Sequence, residues 1–183
     1  MKRARILLAY NEPLTLEGLR SVLDTDYELV GVVSDGRSLL DTALRLSPDV
    51  IVLDINLPRL NGIDAAYHIK KALPNVNLLF LTIHDNPKYL RNALAAGASG
   101  YLLKRSAKEE LLAAVQEIIK GHTYVTPDFG EKVVEQRQRR PDGLMRTQFA
   151  LTKRQREVLQ LVAEGRTAKQ IADLMADNPS KIQ

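Results

Sequence analysis

The chain has 183 residues, of which 45% are apolar and 26% are charged, and it contains no Cys. These figures predict a folded protein with one full domain and a smaller one, argue against a disordered chain, and exclude disulfides, thiolate metal sites and cysteine nucleophiles. Acidic and basic groups balance over residues 1–130, so that the net charge of +4 lies wholly in residues 131–183, where a polyanion would bind.

The chain begins with a basic stretch, residues 1–5, which is followed by a short apolar run over residues 6–9. This run is too short for the core of a signal peptide or for a membrane span. Together with the lack of Cys, it predicts a cytoplasmic protein without a membrane partner.

Apolar runs of strand length then alternate with amphipathic helical patterns. The runs are rich in Val, Ile and Leu with little polar alternation, which is typical of strands that are covered on both faces. The predicted strands are residues 5–10, 29–33, 50–54, 78–82 and 100–103. The predicted helices are residues 14–23, 38–46, 63–73, 88–95 and 108–120. The pattern predicts an α/β fold with a doubly wound, five-stranded parallel sheet, in which ligands bind at the carboxyl ends of the strands.

After the fifth helical pattern the alternation stops. A further helix is predicted over residues 128–139, and the basic stretch over residues 136–143, which ends in Pro and Gly, is typical of a linker. Two more helical patterns follow over residues 153–163 and 167–175, separated by a turn that contains Gly165. A short turn with Gly between two amphipathic helices is typical of the start of a helix-turn-helix.

These patterns divide the chain into three predicted parts. They are an α/β domain over residues 1–122, a helical linker over residues 123–149, and a smaller all-α domain over residues 150–183. Thr152 and Gln155 form a predicted capping box at the start of the first helix of the smaller domain.

Three polar residues end or follow neighbouring strands of the predicted sheet. They are Asp54, Thr82 and Lys104. Because the carboxyl ends of parallel strands meet at one edge, a carboxylate, a hydroxyl and an ammonium converge there, and an anion attached to Asp54 would be bound by the other two. Asp54 could instead cap the turn that follows it, which is the commoner role of an Asp at a strand end.

Six ordered segments carry a family resemblance. The segments VLDINLP at residues 52–58, NG at 61–62, LTIHD at 81–85 and AAGASGYLLK at 95–104 resemble the receiver domain of a bacterial two-component response regulator. The segments LTKRQREVL at 151–159 and AEGRTAKQIA at 163–172 are similar to the LuxR-type helix-turn-helix domain of the NarL/FixJ family. The resemblance covers nearly the whole chain.

The resemblance implies roles for four residues and a set of partners. It makes Asp54 the phosphoacceptor, and Thr82 the switch hydroxyl that follows the phosphoryl group. Tyr101 becomes the aromatic residue whose rotamer reports on that group, and Lys104 becomes its ion-pair partner. The implied partners are promoter DNA, a second copy of the chain in a homodimer, and a sensor histidine kinase.

The end of the first strand departs from the family pattern. In the family, two acidic residues at this place hold Mg²⁺ beside the phosphoacceptor, whereas this chain has Tyr10 and Asn11, followed by Glu12. Mg²⁺ relies on one or two carboxylates and neutralises charge during phosphoryl transfer. The oxygens left for a metal are those of Asp54 and Asn56, the amide oxygen of Asn11 and a backbone carbonyl. We therefore expect no resident cofactor, weak Mg²⁺ binding at most, and an atypical receiver with weakened or absent Mg²⁺-dependent phosphorylation.

Glu12 leaves two interpretations open. Its side chain could turn back into this degenerate metal site, or it could precede Pro13 as an acidic residue that favours the helix dipole. We favour the second interpretation, because a residue that follows the strand end has no fixed direction toward the site.

The smaller domain carries basic side chains that fit contacts with DNA phosphates. They are Lys153, Arg154, Arg156, Arg166 and Lys169. The family pattern continues into a recognition helix, which could only begin before the chain reaches Gln183. We expect a truncated regulator rather than a natural short form, because two helices alone cannot bury the apolar stripe that they carry. Packing of this stripe on the receiver or on a second subunit stays an open alternative.

The predicted function is that of a bacterial DNA-binding transcription regulator, which binds paired half-sites as a dimer. The alternative is a receiver-type protein-interaction module without DNA-binding activity, and a salt series on DNA binding distinguishes the two. An enzyme is not expected, because the sequence has no Gly-rich phosphate loop of the dinucleotide or Walker type and no nucleophile beside a visible base.

Overall fold

The computed structural model describes residues 3–106, 108–127, 129 and 153–176. The chain divides into two compact units, Met1–Met145 and Arg146–Gln183. The finer division into a domain over residues 1–122 and a linker over residues 123–149 stays a prediction, because most of that linker lies outside the described residues.

The first unit alternates strands and helices in the predicted order. The strands are β1 (Arg5–Ala9), β2 (Glu28–Val33), β3 (Val50–Leu53), β4 (Asn77–Thr82), β5 (Gly100–Leu103) and β6 (Tyr124–Val125). The helices are α1 (Pro13–Leu23), α2 (Gly36–Leu46), α3 (Gly62–Ala72), α4 (Pro87–Ala95) and α5 (Lys108–Ile119). The five predicted strands and five predicted helices of this unit are confirmed, with ends that differ by at most two residues.

The strands form one parallel sheet in the order β2-β1-β3-β4-β5-β6. The prediction of a five-stranded sheet was wrong by one strand. β6 pairs with β5 only through Gly100↔Tyr124 and Tyr101↔Val125, and a two-residue strand has no pattern long enough to be recognised in a sequence. The chain steps from β1 outward to β2 and then back across to β3, which makes the carboxyl ends of β1 and β3 the point where such sheets bind ligands.

Helices cover both faces of the sheet and bury two hydrophobic clusters. One cluster lies under α2, α3 and α4, and the other lies under α1 and α5. Successive residues of β1 alternate between the two, so that Leu7 and Ala9 join the first cluster while Ile6 and Leu8 join the second. Each fully buried Leu or Ile contributes about 1.5–3 kcal/mol, and the sheet therefore holds its carboxyl edge in a fixed position.

Pro and Gly residues lie at several helix ends. Pro13 and Pro87 occupy the first turns of α1 and α4, where a missing N–H costs no hydrogen bond. Gly97 and Gly121 follow α4 and α5 with φ values of 92° and 89°, a region that residues with a Cβ rarely adopt.

The second unit contributes two described helices, α6 (Lys153–Ala163) and α7 (Ala168–Ala176). A capping box opens α7: the Gln170 N–H donates to Thr167 Oγ1 at 3.3 Å, and the Thr167 N–H donates to Gln170 Oε1 at 2.9 Å. This capping box lies on the second helix of the pair, at a T-x-x-Q signal separate from the predicted one at Thr152 and Gln155.

Some sequence predictions fall outside the described residues. These are the capping box of Thr152 and Gln155, the basic linker over residues 136–143, and every residue except Phe129 of the predicted helix over residues 128–139. In the described part of the chain, no helix is both long enough and apolar enough to cross a membrane.

Candidate functional site

Asp54 lies directly after β3, at the edge of the sheet formed by the carboxyl ends of its strands, here called the strand-end edge. Only 1% of its surface is exposed. Its backbone N–H donates to the carbonyl of Ala9 at the end of β1 at 3.2 Å, and its Oδ1 accepts from the N–H of Asn56 at 3.3 Å. The sheet thus presents a nearly buried carboxylate at the point where ligands bind in this architecture.

Two close backbone contacts fix the loop that follows Asp54. A Cβ at Gly62 would lie 2.0 Å from the carbonyl oxygen of Asp54. A Cβ at Gly36 would lie 1.8 Å from the carbonyl oxygen of Leu60, and the Gly36 N–H donates to the carbonyl of Pro58 at 3.1 Å. Only Gly fits such distances, so the loop is held by backbone packing as well as by its side chains.

Lys104 follows β5 and supplies the cation of this edge. Its Nζ lies 2.8 Å from Asp54 Oδ2 and 3.1 Å from each carboxylate oxygen of Glu12. The ring of Tyr10 lies near the same ammonium, with 5.1 Å between Nζ and the ring centroid. Burial lowers the pKa of Lys104, but the hydrogen bonds and charges of Asp54 and then Glu12 outweigh it and raise the pKa above its ordinary value. These four residues, Asp54, Lys104, Glu12 and Tyr10, form the ionic side of the edge.

Tyr10 fills the place of the first acidic residue of the family pattern. It is buried, and its hydroxyl donates a hydrogen bond to the backbone carbonyl of Leu81. Burial, and then the charges of Asp54 and Glu12, raise the pKa of Tyr10 well above its ordinary value of 10.0. The phenol therefore stays neutral and acts as a donor, so that it replaces an anionic ligand by an apolar ring.

The Glu12 side chain points toward Lys104 and belongs to the ionic side. It precedes α1, but its side chain makes no capping hydrogen bond to the helix backbone. Besides Lys104, it accepts from the hydroxyl of Thr15 at 2.9 Å. The hydrogen bonds from Lys104 and then Thr15 lower the pKa of Glu12 below its ordinary value of 4.5. These contacts support the interpretation in which Glu12 turns back into the degenerate metal site. They do not support the favoured interpretation, in which Glu12 acts on the helix dipole.

An uncharged set of contacts runs along the same edge. The Tyr101 hydroxyl donates to the backbone carbonyl of His84 at 2.7 Å, and the His84 N–H donates to Thr82 Oγ1 at 3.4 Å. His84 Nε2 and Asn56 Oδ1 are hydrogen-bonded at 3.0 Å. The Tyr101 ring stacks on Phe129, with centroids 5.7 Å apart. The residues Thr82, His84, Tyr101 and Phe129 form the aromatic side of the edge.

The structure brings Asp54, Thr82 and Lys104 to one edge, as the order of the strands predicts. The Lys104 N–H donates to the Thr82 carbonyl at 2.8 Å, which joins the ends of β4 and β5. Sequence reasoning missed the hydrogen bond between Asn56 and His84 and the contact of Phe129. No periodic signal marks either one, because both depend on side-chain rotamers in loops.

The residues at this edge do not fit a Mg²⁺ site. Among the described residues, no group of three or more His, Asp and Glu side chains is placed to hold a metal ion. The two residues that the sequence leaves for a metal, Asp54 and Asn56, are hydrogen-bonded to Lys104 and His84. Mg²⁺ requires an octahedral set of oxygens, and the place of the first acidic ligand is filled by the buried, neutral ring of Tyr10.

Two of the predicted DNA-phosphate residues have described side chains. Arg166 and Lys169 are exposed and flank the start of α7. The other three, Lys153, Arg154 and Arg156, belong to α6, but their side chains lie outside the described part. Their contact with DNA phosphates stays a prediction.

Family models match both units. The model described as "Response regulator receiver domain" matches residues 6–116, and the model described as "Bacterial regulatory proteins, luxR family" matches residues 150–176. The chain therefore belongs to the two-component response regulators of the LuxR type, and the resemblance found in the sequence is confirmed.

Individual relatives extend over most of the chain. It is 34% identical over 185 residues to the uncharacterized transcriptional regulatory protein YxjL of Bacillus subtilis, covering 99% of this chain and 85% of that one. It is 31% identical over 175 residues to the transcriptional regulatory protein MctR of Rhizobium johnstonii, covering 94% and 79%. A crystal structure of a LuxR-family two-component response regulator from Aurantimonas sp. SI85-9A1 matches at 31% identity with a TM-score of 0.72, covering 75% and 99%. These relatives are named as regulators, which agrees with the expectation that the chain is not an enzyme.

Proposed function

We propose that this response regulator acts on promoter DNA through a receiver that ordinary Mg²⁺-dependent phosphorylation of Asp54 does not switch. The observation that carries the proposal is the buried, neutral ring of Tyr10, which stands in place of the first acidic metal ligand, with its centroid 5.1 Å from the Lys104 ammonium. Asn11 stands in place of the second acidic residue. The two acidic metal ligands are thus replaced by a neutral phenol and an amide.

Charge explains why this arrangement disfavours phosphoryl transfer. One ammonium is shared by two carboxylates, so that Asp54, Lys104 and Glu12 together are already net negative. Phosphorylation replaces the single negative charge of the carboxylate by about −1.5 to −2 on the phosphoryl group at neutral pH. Without a divalent cation to neutralise this charge, the transition state and the product are both destabilised.

The roles of the neighbouring residues belong to the same proposal. Asp54 is the residue that accepts any phosphoryl group transferred to this receiver, and Lys104 is its ion-pair partner. The Thr82 hydroxyl binds a group that is attached to Asp54, and the rotamer of Tyr101 changes in response to that group. Their support is a shared position at the strand-end edge, together with the family pattern that each of them matches.

Acetyl phosphate tests the weakened phosphorylation. The full chain is incubated with this small phosphodonor, with and without Mg²⁺, and aspartyl phosphate is measured by intact mass and by hydroxylamine sensitivity. We expect little product in either condition. Asn11→Asp restores one carboxylate at the degenerate site and should increase Mg²⁺-dependent product at least about tenfold. Asn11→Ala is the matched control and should change nothing.

Two results would contradict this part of the proposal. The first is stoichiometric, Mg²⁺-dependent phosphorylation of the unmodified chain within minutes, abolished by Asp54→Asn. The second is an equal gain of aspartyl phosphate in Asn11→Asp and Asn11→Ala. Such a result would mean that the phosphodonor reaches Asp54 more easily in both variants, and not that a metal ligand has been restored.

DNA binding as a homodimer is the second part of the proposal, and it implies action in the cytoplasm on the chromosome. Its support is the luxR-family match, the net charge of +4 located beyond residue 130, and the exposed cations Arg166 and Lys169. A single helix-turn-helix seldom provides enough affinity, so a dimer on paired half-sites is expected. A sensor histidine kinase is the partner implied by the family, but the altered acceptor site makes it dispensable.

A salt series tests DNA binding. Sites are selected from a randomised duplex library, and affinity is then measured against salt concentration. Lys169→Ala should weaken binding and reduce the log–log slope by about one unit, whereas Lys71→Ala on the α/β unit should do neither. Sedimentation of the complex reports whether two chains bind. Absence of sequence-dependent binding, with a protein partner retained in pull-down, would favour the alternative function of a protein-interaction module.

A further inference from the structure

Phe129 is fully buried although it lies beyond the last strand of the sheet. Its ring stacks on Tyr101 at an interplanar angle of 28°, and Tyr101 in turn contacts Phe80 of β4 with centroids 6.4 Å apart. All three rings belong to the cluster under α2, α3 and α4. Aromatic pairs in such geometries are favourable beyond the burial of their surface, so the chain is docked on the sheet at Phe129. The stretch that contains Thr126 and Phe129 is here called the exit segment.

The backbone around Phe129 is docked on the same strand. The Thr126 N–H donates to the carbonyl of Tyr101 at 3.0 Å, and Thr126 Oγ1 accepts from the N–H of Leu103 at 3.1 Å. The Phe129 N–H donates back to the Thr126 carbonyl at 3.0 Å. The exit segment is therefore attached to β5 through both backbone and side-chain contacts, and Tyr101 makes two of them.

The other end of Tyr101 reaches the strand-end edge. Its hydroxyl is bound to the carbonyl of His84, the His84 ring is bound to Asn56, and the Asn56 N–H is bound to Asp54. A continuous series of contacts thus runs from the buried carboxylate to the exit segment, and each step is a hydrogen bond or a stacked pair. The ring of Tyr101 is rigid, so a displacement of its hydroxyl end also displaces the ring face that contacts Phe129.

We infer that docking of Phe129 is coupled to the strand-end edge through Tyr101, which makes Thr126 and Phe129 the output contact of the α/β unit. A change at Asp54 or Asn56 that moves the His84 carbonyl loosens Tyr101, and a loosened Tyr101 releases the segment that leads toward the helix-turn-helix unit. Coupling of this kind is reciprocal, so a change at Phe129 also alters the strand-end edge. The inference holds whether or not Asp54 is phosphorylated, and it is separable from the proposed function.

Hydrogen exchange in the full chain tests the coupling residue by residue. Tyr101→Phe deletes only the hydroxyl, and we expect about fivefold faster exchange at the N–H groups of Thr126 and Phe129, as loss of one buried hydrogen bond predicts. Asn56→Ala is the more distant test and should accelerate the same two amides by about twofold to fivefold. Asn92→Ala, an exposed Asn on α4, is the matched control and should leave both amides unchanged.

The reverse direction separates coupling from a simple loss of stability. Phe129→Leu should accelerate exchange of the His84 N–H, across Tyr101 from the substitution. Ile118→Val, an equally buried change in the opposite cluster, controls for general destabilisation and should not affect His84 more than other amides. The inference is overturned if Tyr101→Phe and Asn56→Ala leave Thr126 and Phe129 unchanged, or if Phe129→Leu acts on His84 no more than Ile118→Val does.

Discussion

The ionic side and the aromatic side share one edge of the sheet, but different interactions stabilise them. On the ionic side, Lys104 is held by two carboxylates and an aromatic face. On the aromatic side, Tyr101 is held by a neutral hydrogen bond to a backbone carbonyl and by ring contacts. Charge interactions respond to pH, salt and bound anions, whereas buried neutral contacts respond mainly to shape.

This difference assigns separate tasks to the two sides. The ionic side determines which ions approach Asp54, because one ammonium is already bound there. The aromatic side determines how a change at the edge reaches the rest of the chain, because its contacts extend to Phe129. Substitutions on the two sides should therefore differ in magnitude and in their dependence on solution conditions.

The largest effect is expected for Lys104→Met, which removes the only cation of the ionic side and keeps the length of the side chain. Asp54 is then left buried without a counter-charge, at a cost of about 3–5 kcal/mol in the free energy of unfolding. Urea denaturation measures the loss. A cost below about 1 kcal/mol would mean that the ion pair is no stronger than a surface pair, and the contrast between the two sides would disappear.

A smaller loss in the free energy of unfolding is expected for Thr126→Val, next to the aromatic side, where the Thr126 carbonyl accepts from the Phe129 N–H. The substitution preserves the shape of the side chain. The buried N–H of Leu103 loses its acceptor, and an unpaired buried donor costs about 1–3 kcal/mol. Urea denaturation at low and high salt should give the same loss, because no charge is involved. Thr123→Val at an exposed position is the control, and an equal loss there would trace the effect to the Val rather than to the missing acceptor.

Tyr10→Phe tests the neutral component of the ionic side. The substitution deletes the hydroxyl that donates to the Leu81 carbonyl and keeps the ring beside Lys104. We expect a loss of about 1 kcal/mol, the net contribution of one hydrogen bond. The measurement is again urea denaturation, and a loss as large as that of Lys104→Met would show that Tyr10 rather than Lys104 dominates this side.

The smallest effect is expected for Glu12→Gln, because 55% of the Glu12 side chain is exposed and solvent screens the pair. The loss at neutral pH should stay below about 1 kcal/mol and shrink with added salt. Since the folded-state pKa of Glu12 is lowered from 4.5, its contribution is present above that value and disappears as the pH falls through the lower one. Denaturation over a series of falling pH should show the difference between variant and wild type in full at pH 7, and shrinking once the pH falls below the ordinary value of 4.5.

Sequence patterns predicted the parts of this architecture that follow from regular structure. Asp54, Thr82 and Lys104 could be placed together because the carboxyl ends of parallel strands lie at one edge, whatever the loops do. The alternation of apolar runs likewise predicted the strands of the sheet except β6, whose two residues carry no usable period. The substitution of the acidic pair was visible because Tyr10 and Asn11 interrupt an ordered family motif.

The remaining parts depend on rotamers and long-range contacts that no periodicity encodes. Glu12 can point toward the helix or the site from the same backbone, and only its contacts with Lys104 and Thr15 decide between them. The bond between His84 and Asn56 joins residues 28 positions apart through two loop side chains. The burial of Phe129 likewise depends on the space beside Tyr101.

The glycine contacts around the loop after Asp54 separate the position of the carboxylate from the chemistry around it. The Asp54 carbonyl packs against Gly62, and the far end of the loop packs against Gly36, without any charged group taking part. The two residues that follow the first strand, Tyr10 and Asn11, can therefore differ from the acidic pair of the family pattern while the acceptor stays in place. A methyl group added at Gly62 or Gly36 would collide with a backbone carbonyl, whereas a change of side chain after the first strand need not move the loop. The backbone at this edge is therefore under a tighter steric constraint than the side chains around Asp54.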